Sequence, residues 1–472
     1  MERVRNISFM PHSRSATALV GLIAALAAPR TRLLATQDSS LTRVVHQARL
    51  ENGLQVVVVE NHTVPLATVL VAVRNGAFTQ DSADQGLAHL YEHMLFHSYR
   101  HDPSAFAVEA TYLKGRYNGG TGDEVVYYYV ALPSNNVDGG IRLIARLIQG
   151  ADFTNVDLKD ERSIVLEELQ RGESDPEERL ERQVSRALWG SSWSRKDVGG
   201  DSSTLAGITL DRLRATYARY YVPNNAALIV TGDVASDRVV EQARQQFRDW
   251  KAGPDPFASQ PIPPVVPRRA SSAILVADNV PDVTIRIVLQ GPSVGSDTAA
   301  TYAADLLFDL LDDPTSAFQR RMVRFGPFQS VSGAYVTLNH TGPIEFVGKT
   351  TPGRAREALL ALVGELDNLG SLAGITEEDL AIARKRHRVR GALTAERTAM
   401  LAPYVAYWWS SAGMDYYLTY RTRMTSRTVQ DLRRFAADYV TSKPRVIGVL
   451  APPATIETLS AALRQATQQT GP

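Results

Sequence analysis

The chain has 472 residues, 44% hydrophobic and 21% charged, which is too long for one ordinary domain and suits two globular domains of about 200 residues each. Lys and Arg number 51 against 50 for Asp and Glu, so there is no whole-chain basic field for nucleic acid. With no cysteine, disulfides, thiolate metal sites and a cysteine nucleophile are all excluded.

In chain order, Arg3, Arg5 and Arg14 precede a short apolar run from Ala16 to Ala28 that ends in small residues. This is the pattern of a signal peptide, too short for a membrane-spanning helix. It predicts a leader over residues 1–35, cleavage near Ala28 or Ala35, and a periplasmic mature chain without stable membrane insertion. From Leu50 the pattern becomes regular. LENGLQVVVVEN and ATVLVAVRNG read as strands with Asn-Gly turns, and Gly86 to Phe96 as a helix. Val125 to Leu132 (VVYYYVAL) reads as a strand. Val137 to Ile148 and Asp157 to Gly172 read as helices, and a closing unit pairs a helix (Leu210 to Tyr220) with a strand (Ala226 to Thr231).

Residues 252–269, AGPDPFASQPIPPVVPRR, hold too much proline for a ladder or helix and read as a semi-rigid linker. Beyond it the pattern repeats. SAILVADN and TIRIVLQG are strands, Asp297 to Leu311 is helical, and Leu432, Tyr439, Val440 and VIGVLAPP follow the order of Leu213, Tyr221, Val222 and their strand. The fold class is therefore α+β: two homologous sheet-plus-helices domains, over 45–251 and 270–472.

The chemical signal is GLAHLYEHMLFH, residues 86–97, which holds His89, Glu92 and His93 as H-x-x-E-H. On a helix His93 lies about 40° from His89, and Glu92 about 60° away on the other side, so one face carries two imidazoles and a carboxylate. Two such imidazoles can bind one zinc ion, and the Glu beside them can take a proton from the attacking water. The order inverts the commoner H-E-x-x-H. A third protein ligand is needed. His97 lies another turn on and about 40° further round, which fits one tetrahedral ion poorly, so it reads as an end-of-helix residue. A carboxylate from another helix fits better. In DLKDERSIVLEELQRGESDP, Glu161 and Glu168 stand seven apart and about 20° off one face. The apolar flanks Leu87, Leu90, Met94 and Leu95 press this helix into a core, where two imidazoles and a carboxylate need a partner that a metal supplies.

G-L-A-H-L-Y-E-H-M-L-F resembles the G-x-A-H-x-x-E-H-M-x-F of the pitrilysin/insulinase family, which includes mitochondrial processing peptidase and bacterial relatives. The resemblance extends from about residue 45 to the end. It implies a LuxS/MPP-like metallohydrolase fold and a zinc endopeptidase with one Zn2+ per chain. The family's E-x6-E matches Glu161 to Glu168, with Glu168 75 residues past His93. By resemblance Glu168 is the third zinc ligand, Glu161 the carboxylate that orients a ligand imidazole, and Glu92 the catalytic base. Asn118-Gly-Gly-Thr121 resembles N-A-x-T, whose Asn contacts substrate backbone beside an edge strand. Phe96, closing the first motif, is a further substrate-binding candidate. GITEEDLAIARK (374–385) resembles G-I-T-x-x-E-L-x-x-A-K.

One departure stands out. The family's L-R-E-x-x-G-L-x-Y carries an Arg and a Tyr that steady the substrate across the cleft. Here the segment is RRMVRFGPFQSV; with Gly326 as the motif glycine, the Arg position is Met322 and the Tyr position Gln329. Tyr335 does not rescue it, and Arg321 does so only by a register shift. The resemblance therefore implies a heterodimer around an enclosed chamber, with a second family subunit that lacks H-x-x-E-H and supplies Arg and Tyr. A peptide is the substrate. A dedicated precursor-processing peptidase and a non-catalytic structural subunit are the alternatives.

Overall fold

The computed structural model describes residues 45–372, 375–395 and 398–468. The expected leader lies outside the described residues. Two sheets organise the chain. The first contains β1 (Val45–Arg49), β2 (Gln55–Glu60), β3 (Leu66–Val73), β4 (Arg116–Thr121), β5 (Val126–Pro133) and β6 (Ala226–Gly232), in the order β1-β2-β6-β3-β5-β4. The second contains β7 (Ser272–Ala277), β8 (Val283–Gln290), β9 (Ser330–Tyr335), β10 (Pro343–Thr350) and β11 (Arg445–Ala451), in the order β7-β11-β8-β10-β9.

Set β1 aside and the two orders superpose strand for strand. In each sheet the last strand inserts parallel beside the first, at β2–β6 and β7–β11, and every other pairing is antiparallel. The helices that follow also correspond. Leu87–His97 matches Val294–Leu311, Val137–Gln149 matches Ala355–Asp367, and Leu210–Tyr220 matches Val429–Tyr439. The repeat read from Leu213, Tyr221 and their counterparts is thus a repeat of structure. The helix expected from Asp297 starts earlier, at Val294, because Ser293 caps it, and Asp297 itself departs from helical geometry (φ −147, ψ 70).

Central strands are mostly apolar and buried because both faces of both sheets are covered. β6 and β11 are buried throughout. In β2, Val56 and Val58 face one core and Val57 and Val59 the other. The cover is reciprocal. Helix Thr398–Ser411, from the second half, lies on β3 and β6 of the first sheet, where the buried Trp409 donates its indole N–H to Gln55 Oε1 at 2.9 Å. Helix Pro176–Trp189, from the first half, lies on β7, β8 and β11 and buries Leu180, Val184 and Leu188. Gly448 makes that approach possible, since a Cβ there would sit 2.3 Å from Val184 Cγ2. Each fully buried aliphatic side chain is worth about 1.5–3 kcal/mol, so these contacts contribute to the stability of both halves.

Among the described residues β4 pairs only with β5 and is one edge of the first sheet. Just beyond it, Glu124 in the β4–β5 turn accepts hydrogen bonds from the backbone N–H groups of Asn339 and His340, both at 2.8 Å. Lys196 adds two bonds of 2.8 Å to the carbonyls of His340 and Thr341. The edge hairpin is thereby anchored to the second half.

Candidate metal centre

The helix that carries the motif, Leu87–His97, starts at Gly86 in the left-handed region (φ 86) and has no capping side chain of its own at that position. The buried Gln80 supplies the missing acceptor. Its Oε1 receives the N–H groups of Gly86 and Ala88, while its Nε2 donates to the carbonyls of Ser194 and Asp197. Sequence reasoning missed Gln80, because a capping residue six positions before a helix leaves no periodic signal. The partner helix, Asn155–Ser174, begins with a capping box between Thr154 and Asp157. The expected bounds of both helices fall within two residues of these.

The two helices face each other and bring His89, His93 and Glu168 together, with one ligand atom from each within 4.8 Å of the others. Glu168 Oε2 is 3.8 Å from His89 Nε2 and 3.7 Å from His93 Nε2. Those spacings exceed a hydrogen bond and suit two ligands sharing an ion at about 2.0–2.2 Å each. His93 Nδ1 lies 2.9 Å from Glu161 Oε2. With Nδ1 as the donor in that bond, Nε2 presents a lone pair toward Glu168, so two acceptors face each other and a cation fits between them. Burial, helped by the neighbouring His93, pushes His89 down to about 3 and keeps its imidazole neutral, as a metal ligand must be. His97 is the last helical residue, as expected, but its ring is engaged: Nδ1 is 2.8 Å from Glu161 Oε1 and Nε2 is 3.5 Å from Asp157 Oδ1.

Glu92 is buried beside the triad, pointing toward β4, where Thr121 donates to its Oε2 at 2.7 Å. Burial raises its pKa above the ordinary carboxylate value, against the opposing pull of His93 and Thr121. Gly119 leaves the space: a Cβ there would lie 2.9 Å from Glu92 Oε1 and from the Phe96 ring. The N-G-G-T segment therefore touches the motif helix through Gly119 and Thr121. Asn118 sits between them and Tyr117 on the edge strand, partly exposed and paired with Tyr129. Phe96 packs on Phe106, Tyr117 and Tyr128, with ring centroids 5.1–5.5 Å away.

In the second half, Met322 is buried in the core and Gln329 donates to Asp282 at 3.2 Å. Arg321 grips Glu365 through Nε at 3.0 Å and through a second guanidinium N–H. Tyr335 is buried and donates to the Pro292 carbonyl at 3.0 Å.

Comparison with known sequences gives the family. The family profile described as Insulinase (Peptidase family M16) matches residues 55–198, the stretch holding every residue of the triad, and the profile described as Peptidase M16 inactive domain matches 207–386. The chain belongs to the insulinase family. This insulinase-family chain is 25% identical to an uncharacterized zinc protease of Streptomyces coelicolor, over 93% of the chain and 97% of that relative. It is 24% identical to an uncharacterized zinc protease of Mycobacterium tuberculosis, over 74% and 79%. A probable mitochondrial-processing peptidase subunit beta of Arabidopsis thaliana is 24% identical over 52% of the chain and 46% of that protein. Among solved structures, a protease from Helicobacter pylori has the same fold, with a TM-score of 0.75, 21% identity, and coverage of 86% of this chain and 99% of that one. The first half of the periplasmic protease PqqL from Escherichia coli aligns with a TM-score of 0.72 and 18% identity over 91% and 97%. Among the described residues, no helix is long and apolar enough to cross a membrane.

Proposed function

We propose that the chain is a zinc-dependent endopeptidase that hydrolyses peptides or small unfolded proteins, with one Zn2+ held by His89, His93 and Glu168. The observation that carries this reading is the convergence of those three side chains, acceptor facing acceptor, with the buried carboxylate of Glu92 alongside. A zinc ion held there supplies Lewis acidity toward the scissile carbonyl and the attacking water. Glu92 takes the proton from the water and returns it to the departing amine. Burial beside the triad and the hydrogen bond from Thr121 to Oε2 hold this carboxylate in place for that role. Glu161 holds the His93 ring. The substrate lies extended against the free edge of β4, where Asn118 meets its backbone and the cluster around Phe96 lines one flank.

On this reading residues 45–251 form the zinc-binding peptidase domain, 252–269 the linker and 270–472 a structurally similar domain. The chain acts as the zinc-bearing subunit of a heterodimer that encloses its substrate, and a partner subunit supplies the Arg and Tyr. What supports the heterodimer is that Arg321 and Tyr335 are engaged within the second half, by Glu365 and Pro292. We further read residues 1–35 as a leader that directs the chain to the periplasm, in keeping with the periplasmic relative among solved folds. Metal analysis of the purified chain, together with a peptide-library digest with and without chelator, tests the proposal. One equivalent of zinc and chelator-sensitive cleavage are expected, whereas cleavage that survives complete zinc removal would overturn it.

A further inference from the structure

His89, His93 and His97 stand four residues apart, so all three imidazoles face the helix Asn155–Ser174. That helix runs antiparallel and answers with three carboxylates in reverse order. His89 and His93 reach Glu168, His93 and His97 share Glu161, and His97 reaches Asp157. His97 lies outside H-x-x-E-H and outside the ligand triad. A histidine that merely ended the helix would turn to solvent, yet the His97 side chain is only 14% exposed and both its nitrogens face carboxylates.

The consequence falls on Glu161. Its Oε2 meets His93 Nδ1 at 2.9 Å and its Oε1 meets His97 Nδ1 at 2.8 Å. A carboxylate held by one donor can rotate about its last torsion and exchange oxygens, but one held at both cannot. With Glu161 fixed, the His93 ring is fixed, and so is the direction of Nε2 toward Glu168 and His89. Asp157 in turn steadies His97 from its far side, 3.5 Å from Nε2.

We propose that His97 is a positioning residue: the chain Asp157–His97–Glu161–His93 locks Glu161 in the orientation that aims His93 at the metal, and so sets the affinity of the triad for zinc. This rests on the reading of His89, His93 and Glu168 as the zinc site. Outer partners of metal-ligating histidines typically contribute 10- to 100-fold in affinity, and His97 acts one bond further out, so about tenfold is expected.

The test compares His97→Leu with His97→Asn in the full chain. Leu fills the space without a donor, while the Asn amide nitrogen sits near the place of Nδ1. Zinc affinity is read by competition with a chromophoric chelator, and the thermal midpoint of each zinc-free protein is measured beside it. His97→Leu should bind zinc about tenfold more weakly and His97→Asn within about threefold of native, with similar zinc-free midpoints for the two variants. A merely structural role would move the midpoint and would not be rescued by Asn. Equal zinc affinity for native, Leu and Asn proteins would overturn the proposal and leave the metal-site reading standing. A native chain that binds no zinc would overturn that reading and the proposal with it.

Discussion

Thr121 donates a 2.7 Å hydrogen bond to Glu92, joining the edge strand β4 to the helix that carries His89 and His93. The two residues are 29 positions apart in sequence. One bond thus ties the surface on which a substrate strand would lie to the carboxylate that would act on it.

Glu92→Gln removes a proton acceptor and no metal ligand. The variant should keep its zinc by elemental analysis and lose about 10²- to 10⁴-fold in kcat, the usual contribution of a general base. Substantial residual turnover would assign the proton transfer elsewhere.

Removing a ligand should behave differently. His89→Ala, His93→Ala and Glu168→Gln should each be purified without stoichiometric zinc, because a site with two protein ligands left holds the ion weakly. Glu161→Gln keeps the triad and loses the charge that holds His93 and His97. Its zinc affinity should fall by about 10- to 100-fold, measured by chelator competition.

Gly86 and Gly200 pack backbone to backbone at the start of the motif helix. A Cβ on Gly200 would lie 2.4 Å from Gly86 Cα and 2.6 Å from the Gln85 carbonyl, and Gly200 has φ +81. Neither contact can give way by a side-chain rotation. Gly200→Ala should cost about 2 kcal/mol or more, seen as a fall in the midpoint of chemical denaturation.

Asp305 is partly buried in the second half and accepts a 2.7 Å bond from Tyr420, and desolvation, reinforced by Asp309, pushes its pKa up to about 7. The folded state therefore favours the protonated acid. Stability from this group is fully present below the unfolded value of 3.8 and is lost as pH rises toward about 7. Asp305→Asn, neutral at every pH, should raise the melting temperature at pH 8 by a few degrees and change it little at pH 4. An equal shift at both values would remove Asp305 as the source.

The proposed partner makes a kinetic prediction. The chain alone should bind zinc yet cleave slowly, and a second family subunit carrying Arg and Tyr should restore about 10² to 10³ in rate. Full activity from the homogeneous chain, abolished by Arg321→Ala, would instead mean that Arg321 leaves Glu365 and serves the site.

By itself the sequence determined the elements that repeat and the helix that carries the chemistry. Apolar runs at β6 and β11 mark strands covered on both faces, and the four-residue spacing of His89 and His93 places them on one helical face, because both patterns are local consequences of backbone geometry. It also offered Glu161 and Glu168 as one face of a second helix. Their separate roles came from resemblance, since periodicity cannot tell two residues on one face apart.

Only the tertiary structure decided what lies opposite what. The antiparallel approach of the two helices puts Glu168 between the imidazole Nε2 atoms and Glu161 behind His93 and His97, so that His97 is engaged where helix position alone left it idle. The reciprocal covering of each sheet by the other half's helix, and the cap that Gln80 gives to a helix it does not belong to, likewise join residues from distant parts of the chain. Such contacts are fixed by how the elements pack, and packing between distant segments leaves no periodic trace in a single sequence.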